Sequence, residues 1–366
     1  MTQKKENEMI PLRVWSSPAH RVVQSALRWL LACCAAAAML SCQRADPVYH
    51  TTFTALGTVV DVSLYDVEPA VAEAAVRDIE SAMLQVERRW HAWHPSELTD
   101  INARLARGEH APLDASSLAY LKRAAELSRA SGDRFNPAIG SLIKLWGFAS
   151  DETPDGPPPA RAAIDEFLSK RVTMADLQFD ANGVTSRSPA LQLDLGGWAK
   201  TIALDEAVAR LQARSIRNAL INIGGDLRLL GDKGGAPWRV GIRHPREAGV
   251  MAAAEGRGDE SVFTSGDYER FFEWEGVRYQ HIIDPHTGYP AAGIASATVI
   301  HRDTAVAEAA SKALLIAGVD GWRRVAAQLG VDQAMIVTTD LQVQTTRAMD
   351  QRVTFTREPV RKQNVD

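Results

Sequence analysis

Apolar and polar residues alternate from Val60 through Val62 to Leu64, with Asp61 and Ser63 between them. That period of two predicts a strand across residues 49–65. Pro69 then opens a stretch in which Val76, Ile79, Met83, Val86 and Trp90 recur at steps of three or four, the period of a helix with one buried face. A second helix is expected over 116–130, stopping at Ser131-Gly132, and DETPDGPPP (151–159) is a surface loop before a short helix near 160–170. Downstream the signals alternate. Strands are expected at 177–180 and 191–195 around a turn at Asn182-Gly183, then a helix at 198–213. Short strands follow near 219–223, 227–230, 238–242, 262–265 and 277–283, then a helix at 304–317 and a last hairpin turning at Thr339-Asp340. Strands outnumber helices and sit close together in the chain. The expected class is therefore α+β, antiparallel-rich sheets with packed helices, rather than a doubly wound parallel sheet. With no repeat and no long linker, residues 49–350 are expected to form a single compact unit and 351–366 a C-terminal tail.

The N-terminal pattern differs in kind. Arg21 and Arg28 precede an unbroken apolar run from Trp29 to Leu40, 12 residues long, too short to span a bilayer but suited to the core of a signal peptide. It ends in Met39-Leu40-Ser41-Cys42-Gln43, which resembles a bacterial lipobox, with Cys42 as the lipidated residue. Residues 1–41 are then a signal peptide and 42–48 a tether, and the expected location is the bacterial cell envelope, facing the periplasm, lipid-anchored to the inner or outer membrane. An ordinary secretory signal or an uncleaved anchor reads the same run differently.

Composition narrows the class. At 366 residues and 46% hydrophobic, the chain can bury enough surface to offset its entropy, which argues against disorder. A net charge of −4 gives phosphate backbones nothing to steer towards, so no nucleic-acid partner is expected. All three cysteines, Cys33, Cys34 and Cys42, fall in the leader or at its end. Cleavage before Cys42 removes five positive and two negative charges and leaves 36 Lys+Arg against 43 Asp+Glu. No disulfide is then available, and the core must stabilise the fold alone.

Three glycine-rich clusters carry candidate chemistry. Asp194-Leu195-Gly196-Gly197-Trp198-Ala199-Lys200 runs from a strand into a helix, where glycines allow close backbone approach and a helix N-terminus offers free N–H groups to an anion. Ile223-Gly224-Gly225-Asp226 is a tight turn with a carboxylate at its tip, which is also ordinary turn chemistry. Neither has the spacing of a dinucleotide fingerprint or a phosphate loop. The third runs Thr264-Ser265-Gly266-Asp267-Tyr268-Glu269-Arg270 and, after a hairpin, His281-Ile282-Ile283-Asp284-Pro285-His286-Thr287-Gly288. A histidine beside a carboxylate can act as a general base, and His281 with Asp284 is equally open to being a buried hydrogen-bonded pair.

Together and in this order, the clusters resemble the ApbE family, the FAD:protein FMN transferases. The resemblance also takes in Leu56-Gly57-Thr58, Trp93-His94-Pro95-Ser96-Glu97, Asn102, Gly132 to Pro137, Leu145 to Phe148 and Ala307 to Gly318. It implies an enzyme that cleaves FAD and attaches FMN through its phosphate to a threonine or serine of an exported target flavoprotein of a respiratory or redox complex, releasing AMP. Carried over by position, Leu56, Trp93, Arg134, Phe135 and Asn136 would flank FAD. Asp194, Lys200, Ser265, Gly266, Asp267 and Ile282 would hold the nucleotide, His281 would assist the acceptor hydroxyl, and Asp284 would orient it or bind the cofactor. Trp93 is also open to packing beneath the preceding helix.

The sequence departs from the family at the metal. The resemblance implies Mg²⁺ held by a backbone carbonyl at Gly197 with an aspartate and a threonine four residues later. Here Glu308 keeps a carboxylate, but Lys312 stands where the threonine is expected, leaving Gly197, Glu308 and Ser311 as the ligand set. An ammonium donates and cannot ligate a metal, and positions four apart on a helix pair readily. Three readings stay open: a transferase with a shifted metal, a transferase in which Lys312 partly replaces the metal, or an exported FAD-binding lipoprotein without transferase activity.

Overall fold

The strand expected across residues 49–65 folds back on itself. β1 (Val48–Ala55) and β2 (Thr58–Tyr65) are joined by the two-residue turn Leu56-Gly57, whose φ angles of 55° and 68° are both positive. That is the hairpin turn whose twist matches its strands, and a leucine there is unusual. The computed structural model describes residues 47–356 and 361–365; the leader, Cys42 and most of the tether lie outside the described residues.

α1 (Pro69–Trp90) starts where Glu68 accepts the N–H groups of Ala70 and Val71, and it buries the expected apolar face. α2 (Glu97–Ala106) was not foreseen; Ser96 and Thr99 cap it reciprocally. β3 (Ala111–Pro112), α3 (Ala115–Ala130), α4 (Gly140–Leu145), α5 (Arg161–Ser169), β4 (Leu177–Phe179) and β5 (Gly183–Ser186) follow. Residues 191–195 are irregular backbone rather than a strand, with one bridge between Gln192 and Ile139. After α6 (Ala199–Ala213) come β6 (Ala219–Ile223), β7 (Asp226–Leu230), β8 (Trp238–Arg243), β9 (Val250–Gly256), β10 (Glu260–Gly266), β11 (Phe271–Trp274), β12 (Val277–Gln280) and β13 (Ile294–His301). α7 (Thr304–Gln328) is interrupted at Gly318, where φ is 70°; β14 (Ala334–Thr338), β15 (Gln342–Thr346), α8 (Arg347–Asp350), β16 (Val353–Phe355) and β17 (Arg361–Val365) complete the described chain.

Nine strands form the main sheet in the order β1-β2-β6-β7-β10-β13-β14-β15-β17, so spatial order follows chain order. Every pairing is antiparallel except the last, β15 with β17. The α+β, antiparallel-rich class is borne out, and residues from Val48 onward group as one unit. The region expected as a tail adds strands instead: β16 pairs with β9 and β17 with β15.

Both faces of the main sheet are covered. Phe263, Val299 and Ile336 join the core that contains the helices, while their neighbours Val262, Ile300 and Val337 join a second core with Trp238, Val240 and Ala252 of the small β8-β9-β16 sheet. Period-two alternation deals successive side chains to the two layers. Among the described residues no helix is long and apolar enough to cross a membrane.

Candidate active site

One end of the main sheet gathers the glycine-rich clusters. The β1–β2 turn lies beside Gly224, whose N–H donates to the Val59 carbonyl (3.0 Å) and where an added Cβ would stand 2.6 Å from Thr58 Oγ1. β7 begins there with Asp226, β10 ends there at Gly266, and Asp267 N–H donates to the Ala295 carbonyl (2.9 Å) on β13. The antiparallel strand order thus brings Leu56, Asp226 and Ser265–Asp267 to one end of the sheet.

The irregular run 192–197 forms a wall above this end, and polar clamps replace ladder hydrogen bonds. Buried Asn102 on α2 donates to the Leu193 carbonyl (2.8 Å) and accepts the Leu193 N–H (2.7 Å). Asp194 N–H donates to the Pro137 carbonyl and Gly140 N–H to the Gln192 carbonyl, both at 2.8 Å. Burial pushes the Asp194 carboxyl up from its ordinary value, opposed by the Gly196 N–H at 2.9 Å and by the charges of Arg270 and His91.

Below the wall lies a group of charges. Lys200, in the first turn of α6, donates to Asp226 Oδ2 at 2.6 Å; burial works against its charge, and Asp226 and Glu308 outweigh it and raise its proton affinity. Lys312 pairs with Glu308 one turn earlier on α7. Glu308 is fully buried, and its second oxygen, Oε2, has no hydrogen-bond partner. Burial raises the Glu308 proton affinity, with Lys312 opposing. Gly197 rests directly on this pair: a Cβ there would lie 2.6 Å from Lys312 Cε and 3.1 Å from Glu308 Oε1, so any larger residue would push the Lys312 side chain aside. Buried Ser311 shares a hydrogen bond with Ser265 (2.9 Å) and donates to the Glu308 carbonyl (3.0 Å). Asp267 forms a bidentate pair with Arg246, 2.6 Å in both arms.

His281 closes the group. Its Nδ1 donates to the Arg270 carbonyl (3.1 Å), which leaves Nε2 with a free lone pair. Burial, with Lys312, Arg270 and Lys200 nearby, lowers its pKa to about 4, so the ring is neutral at pH 7. Asp284 does not orient it: its Oδ1 accepts the His286 N–H (2.9 Å) and pairs with His286 Nδ1 (3.1 Å), shaping the turn after His281. The Arg270 carbonyl holds the imidazole instead. Ile282 is buried beside it, its carbonyl accepting the Ala291 N–H.

The aromatic side of the cleft is built on Arg270. Its guanidinium donates to the Ser150 carbonyl (2.7 Å) and lies 5.7 Å from the Trp93 ring and 5.9 Å from Phe148. Half-buried Trp93 donates to Asp151 (3.0 Å), so it stands in the cleft wall rather than beneath α1, whose terminal Trp90 fills that place. His91, His94 and Asp151 cluster behind it, with His94 Nε2 on Asp151 (2.8 Å) and His91 Nδ1 occupied by the His94 N–H (3.1 Å). Phe135 and Asn136 are buried under the wall: Phe135 packs on Trp198 at 5.4 Å, and Asn136 donates to the Val172 carbonyl and accepts the Ala138 N–H. Arg134 reaches back to the Ser131 carbonyl (3.4 Å). Sequence reasoning gave no role to Arg270 or Arg246. Their signal, an arginine inside a glycine-rich strand end and another in an exposed turn, is common on any surface.

A neutral imidazole, two ammonium groups each paired with a carboxylate, and a glycine-rich run thus meet at one end of the sheet. A model of the ApbE family matches residues 56–336. A curated relative from Rhodobacter capsulatus, an FAD:protein FMN transferase, is 39% identical over 84% of this chain, and the match spans 58% of that protein's length. Another FAD:protein FMN transferase, from Treponema pallidum, is 35% identical over 74% of this chain and 79% of its own length. The crystal structure of the ApbE protein from Thermotoga maritima aligns with TM-score 0.75 and 32% identity, covering 85% of this chain and all of that one. The chain belongs to the ApbE family.

Proposed function

We propose that this chain is an FAD:protein FMN transferase. It binds FAD along the cleft, moves FMN through its phosphate to a threonine or serine hydroxyl of a target protein, and releases AMP. The hydroxyl oxygen attacks the FMN phosphorus, the bond from that phosphorus to the AMP phosphate oxygen breaks, and AMP leaves with the electron pair. The hydroxyl proton passes to His281 Nε2. Such a transfer depends on positioning, neutralised charge and a base, without a covalent enzyme intermediate. The observation that carries the reading is neutral His281, its Nε2 free, within the field of Lys200 and Lys312.

Mg²⁺ is the ion that the family resemblance implies here, and the residues present do not fit it. Mg²⁺ takes near-octahedral oxygen ligands. The Ser311 hydroxyl is engaged by Ser265, one Glu308 oxygen is engaged by Lys312, and the remaining position holds an ammonium. What supports an address at the cell envelope is the leader pattern ending at Cys42. Loss of palmitate labelling in Cys42→Ala tests that anchor; unchanged labelling would remove it.

The decisive experiment incubates the protein with FAD and an acceptor fragment carrying a reactive threonine, and weighs the product. Wild type forms a covalent FMN adduct. His281→Gln slows transfer by about 100-fold or more while FAD affinity stays within about threefold. FAD binding with no adduct from wild type would leave a binding protein only.

A further inference from the structure

We infer that Lys312 is a built-in cation that takes the place of a divalent ion in this site, so that Lys200 and Lys312 hold the FAD diphosphate without Mg²⁺. The inference rests on the flavin-transferase reading. Its first ground is position. The Lys312 ammonium lies 3.2 Å from where a Gly197 Cβ would be, so it fills the space between the glycine wall and α7 that an ion would need. A divalent ion held by Glu308 Oε1 would have to displace Lys312, its ion-pair partner.

The second ground is exposure. The Glu308 side chain is 1% exposed and that of Lys312 is 24% exposed, so the carboxylate lies behind and the ammonium faces the cleft. The pair presents positive charge outward, as a bound ion on a carboxylate would. Lys200 is arranged alike, 25% exposed over an Asp226 side chain at 10%. In each pair the ammonium is thus the more exposed partner, and both ammoniums act on the His281 ring.

The third ground is the oxygen inventory. Ser311 is turned to Ser265 and to its own helix backbone, and Asp267 is held in both arms by Arg246. Buried Glu308 Oε2 has no hydrogen-bond partner, but it belongs to the carboxylate that Lys312 already neutralises. One charge per lysine replaces two on one ion. Direct lysine contacts then neutralise the diphosphate less fully, as point charges rather than inner-sphere bonds.

FAD binding to the full chain in detergent, followed by flavin fluorescence and calorimetry, tests this. Wild-type affinity should change by less than about twofold between EDTA and millimolar Mg²⁺, whereas Lys312→Met should weaken FAD by about tenfold or more and Lys312→Arg should keep most of it. In Glu308→Asp with Lys312→Thr, binding should be weak in EDTA and recover with Mg²⁺, and Mn²⁺ should give a bound-ion EPR signal that wild type lacks. Wild-type binding that tightens about tenfold with Mg²⁺, a wild-type Mn²⁺ signal, or equal affinity for wild type and folded Lys312→Met would each overturn the inference and leave the transferase reading standing. Folded wild type that binds no FAD under any condition would overturn both.

Discussion

Two lysine–carboxylate pairs stand at the mouth of one cleft and are built in opposite ways. Lys200 and Asp226 join α6 to the end of the sheet across 26 positions, and the second Asp226 oxygen accepts the Thr264 N–H at 3.4 Å. Lys312 and Glu308 lie one turn apart on α7, and the second Glu308 oxygen has no partner. The first pair binds separate elements together; the second lies within one helix, where Lys312 compensates a fully buried carboxylate. Equal chemistry thus carries unequal structural weight, which substitution can separate.

The largest effect is expected at Lys200→Met. It strands buried Asp226 and releases α6 from the end of the sheet, a loss of about 3–5 kcal/mol that denaturant unfolding measures. A loss no larger than that of Glu308→Gln would erase the contrast. Next comes acid titration. Because the His281 pKa is lowered to about 4 from 6.5, the folded state binds fewer protons than the unfolded one in that interval. The stability it contributes is present above pH 6.5 and is lost as pH falls towards 4, on the order of 3 kcal/mol in the ligand-free protein. Removing either ammonium should shrink that slope, and an unchanged slope would show that the two lysines do not act on the ring. The smallest effect is expected at Glu308→Gln. It removes a buried charge and frees a partly exposed lysine, and stability should change by less than about 1 kcal/mol. Thermal melts that place it beside Lys200→Met would make the second pair structural too.

The sequence revealed some elements with one face towards water and hid some with both faces covered. α1 was legible because its buried positions step by three and four. β13 was not, because Ile294 to Ile300 are all buried, leaving no alternation to read. β9 runs through Ala252, Ala253 and Ala254, which carry little strand signal. Residues 191–195 looked like a strand because Leu191, Leu193 and Leu195 alternate, yet Asn102 and the Pro137 carbonyl take the hydrogen bonds a neighbouring strand would have made. In the site, the Glu308–Lys312 pair was legible from spacing alone, being local in sequence. The Lys200–Asp226 and Asp267–Arg246 pairs were not, because only the end of the folded sheet brings them together.

Because neighbouring strands of the main sheet follow one another along the chain, the sheet can grow at one edge, each new strand finding its partner already in place. The last charged pair of the cleft belongs to α7, which packs on β10, β13 and β14 and begins at Thr304. A chain cut short before that helix would carry the glycine wall and Lys200 yet lack the second ammonium. The charge of the site is therefore complete only once the chain beyond Thr304 has been made and packed onto the sheet.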